Sequence, residues 1–150
     1  MVKGKKKIGK AKTVLVFGQG NRQTGVISSV IVRVIRPTRA SKRLRVTGPT
    51  TVSDQVKRHI EETVAVIVDR VLESLQLPRQ NYEISVTNLS AASAQDIGLH
   101  ISGLSADLPI LLAMLSAALQ LPIPDDIVTT GHVASVAGDI TAVKAIPAKI

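Results

Sequence analysis

Ser105 is the side chain whose neighbours best suit it to do chemistry. It stands in Ser102-Gly103-Leu104-Ser105-Ala106-Asp107-Leu108-Pro109, a Gly-x-Ser turn running straight into an apolar segment. A serine hydroxyl becomes a nucleophile when a base takes its proton. The histidines His59, His100 and His132 share no spacing that points to a Ser-His-Asp triad or to a metal site. Lysine offers a second route, because a neutral amine acts as a base once burial or nearby positive charge lowers its pKa. After residue 53 the lysines are Lys57, Lys144 and Lys149. If Pro147 opens a helix, Lys149 falls in its first turn, where the positive end of the helix dipole disfavours the ammonium form. Backbone N–H groups at the start of a helix after Ser105 are unsatisfied donors suited to an oxyanion, each worth roughly 3 kcal/mol. The competing role for Ser105 is a helix cap, and Asp107 two residues on has the same option.

The bulk composition bounds what these residues can belong to. The chain has 150 residues and no cysteine, which removes disulfides, thiolate nucleophiles and cysteine zinc sites. Phe17 and Tyr82 are the only aromatic residues, so the core is expected from Val, Ile, Leu and Ala. No apolar run approaches the ~20 residues of a membrane span, and Thr13–Phe17 is too short for a signal-peptide core. The expectation is a cytoplasmic protein with no membrane partner. Charge is unevenly placed: residues 1–53 hold 13 Lys or Arg and no acid, while residues 54–150 hold 6 Lys or Arg and 11 acids. The basic third invites phosphate, but it lacks the stacking platforms of a single-strand binder apart from Phe17. Gly20 and Gly25 have the spacing of a phosphate loop, but Val26 and Ile27 replace its Lys and hydroxyl, so no nucleotide site is expected there.

The elements follow from periodicity. Residues 13–37 read as two strands around a glycine-rich turn, and Arg43–Thr47 as a third. Ser53 is the expected N-cap of a helix whose apolar stripe runs Val56, Ile60, Val64, Ile67 or Val68, Val71 and Leu75, with Pro78 ending it. Another strand begins at Tyr82, and a short one is expected at Gly98–Ile101. Leu108–Leu119 reads as a helix buried on most sides, and two short strands flank Gly138. This order predicts an α+β fold with helices packed on a mixed β-sheet. Residues 1–12 are expected to be a basic, disordered tail.

From about Val14 onward the chain resembles the proteolytic domain of the Lon family, the ribosomal S5 domain 2-like fold. That family carries Gly-Pro-Ser-Ala-Gly before a buried helix, then Thr-Gly-Glu before a strand pair, then a lysine at the next helix start. Here those stretches read Gly103-Leu104-Ser105-Ala106-Asp107, Thr130-Gly131-His132 and Pro147-Ala148-Lys149. Thr47-Gly48 before the long helix also fits. The resemblance implies a serine-lysine endopeptidase acting on unfolded proteins, with Ser105 as nucleophile, Lys149 as base and Thr130 holding the lysine. The N–H groups of Ser105 and Ala106 would take the oxyanion. It implies no metal or cofactor in this domain, ATP at a separate AAA+ module in cis or in trans, and a hexameric ring. It also implies that residues 13–150 are a domain cut short at its C-terminal end. The departures are Ser102 for an acid, Leu104 for Pro, Asp107 for Gly and His132 for Glu. The Asp-Leu pair is similar to non-proteolytic Lon-like domains, those of the DNA-repair ATPase RadA and of magnesium-chelatase-related ATPases. These imply the alternative: a scaffold or DNA-binding module using the basic N-terminal third.

Overall fold

The first strand docks before it pairs. In the computed structural model, which describes residues 7–17, 24–36, 43–47, 51–88, 100–101 and 104–141, β1 spans Lys10–Phe17 and buries Ala11, Thr13 and Leu15 on one face. That alternation is the period-2 signature of a half-buried strand. The chain is already fixed one residue earlier. Gly9 takes φ +72°, accepts a 2.7 Å hydrogen bond from Val32 N–H and donates one of 2.8 Å to Ser116 Oγ. Lys12 Nζ donates to the Asp125 carbonyl at 2.7 Å. The ordered strand therefore begins inside the stretch expected as a tail: backbone pairing and Ser116 anchor residues that composition alone marks as solvated.

β1 pairs antiparallel with β2 (Thr24–Ile35), and β2 antiparallel with β5 (Asn81–Asn88). The registers Ala11↔Val30 and Val30↔Val86 align one buried row across three strands. β3 (Leu44–Val46) joins β5 in parallel, giving the order β1-β2-β5-β3. A parallel pair needs a crossover, and here it is helical. The sheet is thus mixed, with helices packed on it, and the chain is α+β. β4 (Thr51–Val52) pairs in parallel with β6 (His100–Ile101), within the expected Gly98–Ile101 stretch.

The crossover helix opens where expected, with Ser53 Oγ accepting from Val56 N–H at 3.3 Å. It runs as α1 (Asp54–His59), a π-helical turn (Ile60–Val64) and α2 (Ala65–Ser74). Its buried residues include Val56, Ile60, Val64, Val68 and Leu72, a strict four-residue repeat. An α-helix turns every 3.6 residues, so that repeat drifts about 40° each step. The wider π turn takes up part of the drift and keeps one stripe on the core. The stripe consequently ends on Leu72, and Leu75, which simple helical spacing places on the core face, is exposed.

α3 (Asp107–Leu119) follows a 3-10 turn at Leu104–Ala106. It packs on β1, β2 and α2, which is why nearly every side chain is apolar. Ile110, Ala113, Met114 and Ala117 are buried, each large one contributing roughly 1.5–3 kcal/mol of burial. β7 (His132–Val133) and β8 (Ile140–Thr141) form a small antiparallel pair around Gly138. Among the described residues no helix is long and apolar enough to cross a membrane.

Candidate functional site

Ser105 occupies the 3-10 turn that leads α3 out of its loop, and it is half-buried. Neither expected cap operates: Ala106 stands at the N-cap of α3, and no side-chain hydrogen bond closes that end. Asp107 instead turns its carboxylate inward, away from the role expected of a capping aspartate. Ala106 itself is buried under the turn.

The stretch around Thr130 is fastened to this turn. Gly131 N–H donates to the Ser105 carbonyl at 3.0 Å, and Thr130 Oγ1 donates to the same oxygen at 3.3 Å. Leu108 N–H returns a bond of 3.2 Å to the Gly131 carbonyl. A Cβ on Gly131 would lie 3.2–3.4 Å from side-chain atoms of Leu108 and Ile140, so any larger residue there requires those side chains to give by a few tenths of an ångström. The structure therefore places Thr130 against the main chain of Ser105. Lys149, the expected base, lies outside the described residues, as do Gly103, Lys144 and Pro147.

Beside this joint sits a cluster that the sequence did not reveal. Asp107 is fully buried. Its Oδ2 accepts from His132 Nδ1 at 2.7 Å and from Val133 N–H at 3.2 Å. His59 Nε2 approaches the same oxygen to 2.8 Å and lies 2.9 Å from the Val133 carbonyl oxygen. A ring nitrogen between two oxygen acceptors must carry its proton, which sets the His59 tautomer. The two imidazoles lie with centroids 5.2 Å apart and planes tilted by 40°. Burial pushes the Asp107 carboxyl above its ordinary pKa; the His132 bond, the His59 charge, the Val133 N–H bond and the His132 charge oppose this without cancelling it. No hydrogen bond joins the Ser105 hydroxyl to either imidazole among the described residues, so a Ser-His-Asp relay is not assembled here.

His59, Asp107 and His132 come from α1, the first residue of α3 and β7, which explains why linear spacing could not find them. The available signal was an acid at the head of an otherwise apolar helix. A buried carboxylate requires partners, and histidines are the natural short-range ones.

Three arginines of the basic third meet acids of the same chain, Arg43 inside the fold and Arg33 and Arg45 at its surface. Arg43 pairs with Asp69 and donates to the Ala65 carbonyl at 3.3 Å, with 18% of its side chain exposed. Arg33 and Arg45 both reach Glu83, the latter at 3.7 Å. The Arg33 hydrogen bond is the main cause holding the Glu83 carboxyl below its ordinary pKa.

No family model matches the chain, and no curated protein does.

Proposed function

We propose that the chain is a Lon-like serine endopeptidase domain in which Ser105 is the nucleophile. The observation that supports this reading is the joint between the Ser105 turn and Thr130-Gly131: hydrogen bonds running both ways unite two motif stretches that are distant in sequence.

In this reading the Ser105 hydroxyl attacks the carbonyl carbon of a peptide bond in an unfolded protein. Lys149, neutral at the head of its helix, takes the hydroxyl proton and later delivers it to the leaving amine. Thr130 orients Lys149. The N–H groups of Ser105 and Ala106, at the leading end of α3, stabilise the oxyanion, each donor worth roughly 3 kcal/mol. Asp107 is compatible with a developing negative charge nearby because its own carboxylate is engaged by His132, His59 and Val133 N–H. Unfolded substrate is delivered by an AAA+ module in cis or in trans, and the working form is a ring of copies.

The alternative, a non-proteolytic DNA-binding module, draws on the basic third. Of the arginines within it, Arg43 is committed to Asp69 in the fold, while Arg33 and Arg45 stay largely exposed beside Glu83. The test is casein hydrolysis, with and without an ATPase partner and ATP, by the wild type, Ser105→Ala and Lys149→Ala. Hydrolysis abolished in both folded variants supports the dyad. Hydrolysis that survives Ser105→Ala, or is absent from the wild type under every condition, removes it. DNA binding with steep salt dependence would then favour the module.

A further inference from the structure

We propose that His59, His132 and Asp107 form a binding site for one divalent transition metal, with zinc the ion their chemistry suits best. This site is separate from the Ser105 chemistry and stands or falls independently of it.

Two imidazoles and a carboxylate converge from three elements, and one donor atom from each lies within 4.8 Å of the others. The closest approaches are 2.7 and 2.8 Å, both to Asp107 Oδ2. Zinc at roughly 2.0–2.1 Å from each ligand, in a tetrahedral site, separates ligand atoms by about 3.3 Å. The two imidazole nitrogens thus need to draw back from Oδ2 by about half an ångström. The histidine side chains are 17% and 26% exposed, so each ring has room on its solvent side to make that adjustment.

A second observation points to a cation independently of the clustering. Asp107 Oδ1 is buried and has no hydrogen-bond partner among the described residues. Every donor that reaches the carboxylate crowds onto Oδ2. A buried carboxylate oxygen without a donor is costly, and a metal ion bound through the carboxylate would relieve that cost. The Val133 carbonyl, 2.9 Å from His59 Nε2, adds a further oxygen to the same small volume.

The donor set selects the class of ion. Calcium and magnesium prefer all-oxygen shells, and copper(I) prefers sulfur; two imidazoles with a carboxylate suit zinc and its neighbours. Bound there, the ion would tie α1, the first turn of α3 and β7 together. Asp107 is two residues from Ser105, so the ion would stiffen the turn that carries it.

The experiment is titration of the metal-stripped chain with Zn²⁺ by calorimetry, with Co²⁺ absorption reporting tetrahedral coordination. We expect one equivalent bound, and a Tm raised by roughly 5–10 °C at a hundredfold excess over Kd. Affinity should fall at least tenfold in His59→Gln and in His132→Gln. Should either variant fail to fold, ¹⁵N shifts of the His59 and His132 rings on adding Zn²⁺ to the wild type report the same contact. Absence of stoichiometric binding, undiminished binding by both folded variants, or unmoved ring resonances would show the cluster to be a hydrogen-bonded clasp and overturn the proposal.

Discussion

Asp107→Ala tests the cluster most directly, in the presence of a chelator so that hydrogen bonding alone is measured. The substitution removes the acceptor for His132 Nδ1 at 2.7 Å and for Val133 N–H at 3.2 Å, together with the approach of His59 Nε2 at 2.8 Å. Hydrogen bonds to a charged group contribute roughly 1.5–3 kcal/mol each, and an orphaned buried N–H costs about 1–3 kcal/mol. The rings carry less of the penalty, because both are partly exposed and can turn to water. Against the loss stands relief of a desolvated carboxylate with one unpartnered oxygen. The net expectation is a destabilisation of about 2–4 kcal/mol, read from urea unfolding followed by circular dichroism near neutral pH. A double-mutant cycle then separates the pair from its surroundings. His132→Ala should cost at least about 1 kcal/mol less in the Asp107→Ala background than alone. Additivity of the two within roughly 0.5 kcal/mol, or wild-type stability for Asp107→Ala, would refute the claim that this carboxylate fastens β7 to α3.

Gly9→Ala should destabilise by roughly 3–5 kcal/mol. Its Cβ would fall 2.2 Å from the Val32 carbonyl oxygen, at φ +72°, and the shift needed breaks the bonds to Val32 and Ser116. Gly138→Ala, at φ +89° with no atom within 4 Å, should cost only about 1 kcal/mol; equal unfolding midpoints for the two would contradict the packing account. Tyr82→Phe should be neutral or stabilising by up to about 1 kcal/mol, because the buried Tyr82 hydroxyl has no partner among the described residues. Burial, with the Asp69 charge second, pushes the Tyr82 phenol up to about 12. The unfolded phenol ionises near 10, so between about pH 10 and 12 the unfolded state binds fewer protons and stability falls as pH rises, by a few kcal/mol at most. Urea midpoints across that range should show this part of the fall in the wild type and not in Tyr82→Phe.

What the sequence made legible was local periodicity. Two strands, the Ser53 cap and the apolar run of α3 each appear near where expected, β1 starting earlier at Lys10 and burying Ala11, Thr13 and Leu15. Non-local events were invisible. The π turn answers a four-residue core spacing that a 3.6-residue template reads as an ordinary stripe, so the end of the stripe was misplaced. Lys10 and Lys12 look like a solvated tail until backbone pairing with β2 and the Gly9–Ser116 bond draw them in. At the site, Ser105 and Thr130 could be connected only through motif resemblance. His59, Asp107 and His132 could not be connected at all, because three elements meet there and no element's period encodes the meeting.

That meeting also changes how the departures from the Lon-like pattern should be weighed. Read along the chain, Asp107 in place of glycine and His132 in place of glutamate are two separate losses. In the fold they are one contact, a carboxylate and an imidazole 2.7 Å apart. Compared with that pattern, the acid stands on the helix side of the joint and its donor on the strand side. Neither position should therefore tolerate the pattern's residue well alone. His132→Glu sets a second carboxylate against Asp107 in a buried site, where one of the pair must hold a proton at a cost of at least about 2 kcal/mol. Asp107→Gly strands Val133 N–H and adds roughly 1 kcal/mol for glycine in a helix. The double variant escapes the carboxylate repulsion, so it should be more stable than the sum of the single effects predicts by at least about 1 kcal/mol, measured by urea unfolding. Strict additivity would mean that the two departures are independent after all, and that the contact between them carries no energy.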